Sequence, residues 1–329
     1  MEYRIIGDSG IRVSRIGLGT WAIGGSFWGG ADDADSMRTI SRALDMGINL
    51  IDTAPVYGFG ESEQVVGRAV REYGSRDRVV LATKCGLKWD DNGIYRDSEP
   101  ERLEMELHDS LRRLRTDYID IYQVHWPDRR VPYEDTAAQM LRFQEEGKIR
   151  LIGVSNFSVE QLNQFQPVSS ISTIQPPYNL FEQETETDVL PWAIQRDLTV
   201  LGYGAICRGL LSGRVGLGSE FPDGDIRNYD PKFQAPRLER YLDAVSRLDQ
   251  LARSRFNRRV IHLSVRWVLD RYAGLVALWG ARRPDQLDAV PEIMDWQLTP
   301  EERETVSRMV ADSIPNPIGA AFMAPPEND

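Results

Sequence analysis

The sequence predicts an α/β chain closed into a (β/α)8 barrel, and three observations carry that prediction. Eight short apolar runs end at residues 19, 52, 84, 125, 154, 176, 201 and 278, in steps of roughly 20 to 40 residues until the last. Segments of helical periodicity separate them. Met37, Ile40 and Leu44 share one helix face, and Leu103, Leu107, Leu111 and Leu114 make another stripe. Parallel strands need crossovers of a dozen residues or more, so this rhythm spells βα units, and eight such units close a barrel.

In chain order, Tyr3 to Ile6 and Ile11 to Val13 alternate around Gly7-Asp8-Ser9-Gly10, which predicts a β-hairpin lid over residues 1–14. The barrel strands follow. The last step, from Leu201 to Leu275, is too long for one crossover and must hold an insertion. Its glycine-rich start, Gly202 to Gly224, reads as loop, and Leu238 to Ala252 and Arg259 to Leu269 read as helices. An extra helix is expected at Pro300 to Met309. Residues 1–312 are expected to form one barrel domain. The proline-rich tail, 313–329, is expected to be extended or disordered.

Bulk properties exclude several classes. Hydrophobic residues make up 41% and charged residues 27% of the 329, ordinary for a chain that buries a large core. A net charge of −11 argues against nucleic acid or an anionic membrane as partner, since both reward a basic face. The start, MEYRIIGDSG, does not read as a signal peptide, and no apolar run approaches the ~18 residues of a membrane span. A cytoplasmic location is expected. Cys85 and Cys207 are too few and too isolated for a disulfide framework, and no histidine pair or carboxylate cluster has metal spacing.

Active sites of such barrels form at the C-terminal strand ends. That rule selects Asp52 and Tyr57 after the second strand, Lys84 ending the third and His125 ending the fourth. It also selects Ser155 and Asn156 after the fifth, Gln175 on the sixth and Tyr203 after the seventh. Alone, Asp52 reads equally as a turn cap and Tyr57 as a loop aromatic. Together with Lys84 they suggest chemistry. A cation about 4 Å from a phenol, at an effective dielectric near 20, attracts the phenolate by about 4 kcal/mol and should lower the phenol pKa. Asp52 would keep Lys84 charged and placed, leaving Tyr57 as a proton donor with His125 orienting a carbonyl oxygen.

Gly17-Leu18-Gly19-Thr20-Trp21-Ala22 fits a loose dinucleotide fingerprint, but no helix opens there, which rules out a Rossmann domain. Better phosphate signals lie at Arg208-Gly209-Leu210-Leu211-Ser212-Gly213 and Gly280-Ala281-Arg282-Arg283, after strands seven and eight, where this fold commonly binds phosphate. Paired arginines with no acid immediately beside them favour a ribose 2′-phosphate, hence NADP(H). Trp21, Trp28, Trp89 and Trp126 lie in loops on the same rim and could line a substrate pocket beside Tyr57 and His125; any of them also reads as core.

These motifs resemble the aldo-keto reductase superfamily from the hairpin to about Met309. They are GLGTWAIGG at 17–25, NLIDTAPVYGFGESE at 49–63, LATKCG at 81–86, VHWPD at 124–128, IGVSNF at 152–157, QPPYN at 175–179, RGLLSG at 208–213 and GARRPDQL at 280–287. The resemblance implies a catalytic tetrad of Asp52, Tyr57, Lys84 and His125, with Tyr57 as general acid in reduction and general base in oxidation. It implies that Ser155, Asn156 and Gln175 hold a nicotinamide carboxamide and that Tyr203 stacks on the ring. Leu211, Ser212 and Gly213 would meet the pyrophosphate, and Gly204, Arg208 and Gly209 are further expected cofactor contacts. Gly280, Ala281, Arg282, Arg283 and Gln286 would meet the adenosine phosphate, and Gly19, Thr20 and Trp21 complete the cofactor contacts. The wording is similar to the bacterial branch with NADP-dependent glycerol dehydrogenases and glyceraldehyde reductases. Gly204, Ala205 and Val290 depart from the common family residues. The implied partner is a small aldehyde, ketone or polyol. Two other readings remain open on residues alone: a cofactor-binding sensor or channel partner, and an aldolase using Lys84 as a Schiff base.

Overall fold

The computed structural model describes residues 1–327. The chain opens with an antiparallel hairpin, β1 (Tyr3–Ile5) and β2 (Arg12–Ser14). Then follow β3 (Ile16–Gly19), α1 (Asp33–Asp45), β4 (Leu50–Asp52), α2 (Glu61–Tyr73) and β5 (Val80–Cys85). A second hairpin, β6 (Leu87–Asp90) and β7 (Gly93–Arg96), is absent from the sequence reading. Next come α3 (Pro100–Leu114), β8 (Ile119–Val124), α4 (Tyr133–Glu145), β9 (Ile149–Ser155), α5 (Val159–Phe165), β10 (Thr173–Gln175), α6 (Val189–Ile194) and β11 (Thr199–Gly202). The insertion holds α7 (Arg237–Phe256) and α8 (Val260–Leu269), followed by β12 (Leu275–Gly280) and α9 (Pro300–Ser313).

Strands β3, β4, β5, β8, β9, β10, β11 and β12 form a closed ring in chain order, so each crossover advances one place. The predicted barrel is observed with all eight strands. The first hairpin closes the end opposite the strand C-termini: Ile6, Ile11 and Val13 cluster with Leu50, Val80, Ile121, Leu151 and Val276. That plug leaves the C-terminal mouth as the open end. Register aligns the mouth residues, with Gly19 opposite Asp52, Lys84 opposite Gln123 and Ser155 opposite Gln175.

Two expectations need correction. The segment read as loop from Gly202 to Gly224 contains a 3-10 turn at Cys207–Ser212. The tail is docked rather than extended or disordered: Ile314 and Ala320 are buried and Ala321–Met323 form a 3-10 turn. Proline lacks an N–H but keeps a carbonyl, and the tail's carbonyls are taken by distant cations. Lys232 Nζ donates to Ile318 O at 3.0 Å and Arg96 Nε to Pro325 O at 3.2 Å. Residues 328 and 329 of the predicted tail lie outside the described residues. Among the described residues, no helix is long and apolar enough to cross a membrane.

Candidate active site

The mouth is built from strand ends whose backbones are already fixed by the barrel. Asp52 ends β4, and the chain then turns tightly, with Tyr57 N donating to Ala54 O at 3.1 Å and Ser62 N to Tyr57 O at 3.1 Å. Gly24 and Gly58 let the neighbouring loop lie on this turn. A Cβ on Gly24 would stand 2.5 Å from the Tyr57 carbonyl carbon, and one on Gly58, at φ +65°, 2.2 Å from Gly24 O. Side chains in either place would push Tyr57 off its seat.

Lys84 is fully buried and donates to Asp52 Oδ1 at 2.7 Å and Thr53 O at 2.9 Å. Its third donor faces Tyr57 Oη at 3.4 Å. The His125 ring stands edge-on to Tyr57 at 5.9 Å, and Trp21 stacks on Tyr57 at 6.0 Å. The four residues singled out from strand ends therefore meet at one point. The expected lowering of the Tyr57 pKa is not found. Burial pushes the phenol well above its ordinary value, and Asp52 pushes it further. Lys84 shares its charge with Asp52, and its pull on phenolate does not outweigh that burial. Tyr57 is thus held as a protonated donor. Burial, then Lys84, pushes His125 well below its ordinary value, which leaves a neutral imidazole able to donate or accept.

A cavity of about 940 Å³ opens above this cluster. Tyr57, His125, Trp21, Trp28 and Trp126 line it, with Val56, Phe27, Phe59, Ile94, Phe322 and Met323, which sequence reasoning missed. Trp89 does not line it; its ring lies against Phe59 at 5.6 Å. The half-buried tail Phe322 and the loop Phe27 lie outside every quoted motif, and Phe59 lies within the one at 49–63 but carries no signal of its own.

The cavity continues past Ser155, Asn156, Gln175 and Tyr203 to the predicted phosphate segments. Asn156 adopts φ +61° and accepts from Tyr203 Oη at 2.9 Å, fixing that ring. Gly19, Thr20, Gly204, Arg208, Gly209, Ser212, Gly280, Ala281, Arg282, Arg283 and Gln286 all face it, as do Arg214, Arg259 and Arg227, the last paired with Asp225 at 2.6 Å. A Cβ on Gly209 or Gly280 would meet nothing within 4 Å, so the backbone is left open to close approach by a bulky anion. These features fit a dinucleotide phosphate group. Leu211 and Gly213 are not brought to the cavity: Leu211 is fully buried, and Gly213 faces Val260.

Three arginines are less free than expected. Arg208 is tied to Glu182 and, at 2.6 Å, to Asp230. Arg282 Nη1 donates to Trp28 O at 2.6 Å and to Gly30 O, pinning the loop after β3. Arg283 does have an acid beside it, Asp285 at 3.1 Å.

Residues 15–311 match the Aldo/keto reductase family, and the chain belongs to it. This is a family of oxidoreductases working between carbonyls and alcohols with a nicotinamide cofactor. The chain is 54% identical to aldo-keto reductase YhdN of Bacillus subtilis over 100% of this chain and 99% of that protein. It is 34% identical to the NADH-specific methylglyoxal reductase of Escherichia coli, over 86% of this chain and 90% of the relative. The solved glycerol dehydrogenase of Gluconobacter oxydans superposes with a TM-score of 0.88 at 48% identity, covering 98% of this chain and 99% of that one.

Proposed function

We propose that residues 1–312 form one catalytic domain that reduces small aldehydes and ketones to alcohols with NADPH, reversibly toward polyol oxidation. The observation that carries this reading is the Tyr57 hydroxyl on the cavity floor, 3.4 Å from Lys84 and backed by Asp52. When bound, the reduced nicotinamide supplies a hydride. The protein's own part is to hold and donate the proton. Tyr57 donates from Oη to the substrate oxygen, which gains negative charge as it is reduced, and Lys84 stabilises the phenolate left behind. His125 shares the substrate oxygen through its neutral ring. Ser155, Asn156 and Gln175 would seat the carboxamide, and Tyr203 would cover the ring. Lys84 is fully buried and paired, which counts against its attacking a carbonyl as an amine.

A second cofactor reading rests on Arg282 and Arg283, whose donors are engaged by loop carbonyls and Asp285; it takes NADH instead. The relative named for methylglyoxal reduction is NADH-specific. The test is nucleotide binding by quenching of protein fluorescence, NADPH against NADH, followed by DL-glyceraldehyde while watching the reduced-nicotinamide absorbance. Tighter NADPH binding and oxidation on adding aldehyde are expected. Preferential NADH binding replaces the cofactor, and binding without turnover replaces the enzyme with a cofactor-binding sensor.

A further inference from the structure

Barrel interiors are ordinarily filled by branched apolar side chains, yet at the level of Asp52 this one holds two amides. Gln123, on β8, and Gln175, on β10, are both buried. Their Nε2 atoms reach the same oxygen, Asp52 Oδ2, at 3.2 and 2.9 Å. Gln175 Nε2 also lies 3.2 Å from Gln123 Oε1. Asp52 Oδ1 is taken by Lys84.

The chemistry of the partners fixes both amide orientations. A carboxylate paired with Lys84 only accepts, so each glutamine must turn its NH2 toward it. Gln175 then spends one N–H on Asp52 and the other on Gln123. Its carbonyl oxygen is the atom left over, on a residue that lines the cavity. Space for this is made by Gly153 on β9, where a Cβ would stand 2.8 Å from Gln123 Cγ and 2.3 Å from Thr173 Oγ1. A glycine there admits a glutamine next door.

We propose that Gln123 is a positioning residue: it locks the Gln175 amide so that its carbonyl oxygen accepts from the carboxamide NH2 of the nicotinamide, while helping to hold Asp52 against Lys84. The inference rests on the cofactor reading above and adds a residue that touches neither substrate nor cofactor.

Gln123→Glu offers a test that a packing role would not pass. A protonated glutamic acid reproduces the pattern, O–H to Asp52 and C=O from Gln175. An ionised one sets two carboxylates together and repels. The charged groups facing it are Asp52 from β4 and Lys84 from β5, with Tyr57 and His125 above. The fifth and sixth barrel strands add only uncharged Gly153, Ser155, Thr173 and Gln175.

NADP⁺, stable in acid, is the binding probe, read by fluorescence from about pH 5 to about pH 8. Gln123→Glu should bind within about threefold of wild type at the acid end and about tenfold or more weakly at the alkaline end, the loss expected for a hydrogen-bond pattern broken by charge. Glyceraldehyde turnover should follow the same profile. Gln123→Leu should weaken binding equally at both ends, and it serves alone if the glutamate variant fails to fold. Variants with the wild-type profile and wild-type binding overturn the inference while leaving the reductase intact. A wild-type protein that binds no nucleotide removes the cofactor reading and this inference with it.

Discussion

Two clusters of buried charge sit at the mouth of the barrel, and they are finished differently. In one, Arg208 and Lys232 share Glu182 and Asp230, with Lys232 at 2.9 and 3.3 Å from the two carboxylates. Phe322 of the tail covers both cations, 5.4 and 5.3 Å from its ring. Burial alone would raise the Glu182 pKa, but Arg208 and Lys232 lower it. Each charge has two opposite partners, and the cluster is closed. In the other, Lys84 has one carboxylate, one carbonyl and one donor aimed at a phenol. Burial makes both clusters rigid; the leftover donor makes only one of them a proton-handling site.

The sharpest way to break this contrast is Tyr57→Phe. General-acid catalysis is worth about 10² to 10⁴ in rate, so turnover should fall by that factor while NADPH binding stays intact. Loss of nucleotide binding in this variant would show that Tyr57 holds the cofactor instead.

A paired substitution sharpens it. Lys84→Met and Lys232→Met each strip a cation from buried carboxylates, a change that costs about 3–5 kcal/mol. Both should lower the urea midpoint. Only Lys84→Met should also remove most turnover of the folded enzyme; Lys232→Met should lose far less than tenfold. Equal losses of turnover would erase the distinction between the clusters.

The open cluster was legible because each member ends an apolar run, and a polar residue at a strand end advertises itself. Gln123 sits inside such a run, Ile119 to Val124, two places before His125, where strand alternation hides an inward glutamine. The closed cluster was harder to see for a different reason. Arg208 follows the seventh strand beside glycines and looks like a phosphate ligand; its carboxylates lie at 182 and 230, and nothing local announces them. The tail hid likewise, since a proline-rich composition does not reveal docking onto Arg96 and Lys232. The β6–β7 hairpin was obscured by short strands carrying Lys88, Asp90 and Arg96.

A buried acid outside both clusters gives a smaller, pH-dependent effect. Glu106 is buried behind the third barrel strand, accepting from Gly86 N at 2.7 Å and facing Arg102 at 3.2 Å. Burial pushes its carboxyl from 4.5 up to about 8, more than Arg102 pulls it down. The folded protein therefore keeps a proton that the unfolded chain has released, and this contribution is present below pH 4.5 and is lost as pH rises to about 8. Glu106→Gln should be more stable than wild type near pH 8 and show little difference near pH 5, read by thermal melting. A gain independent of pH would place Glu106 as an ion at both values.

The smallest expected effect belongs to the tail, where the closed cluster meets the cavity. Phe322 lines the cavity and covers Arg208 and Lys232, so Phe322→Ala opens both at once. Partial loss of an aromatic wall is worth about 1 kcal/mol, or about fivefold in KM for an aldehyde. Neither the tetrad nor the Gln123–Gln175 pair is touched, so kcat should stay within about twofold. The second tail anchor, Arg96 to Glu327 at 2.7 Å, is half exposed on the acid's side and should weaken with salt. KM for wild type should then rise modestly between low and high salt, and Arg96→Gln should flatten that rise. A fall in kcat with unchanged KM in Phe322→Ala would mean that the tail acts on the chemistry through Arg208 rather than as a wall for the substrate.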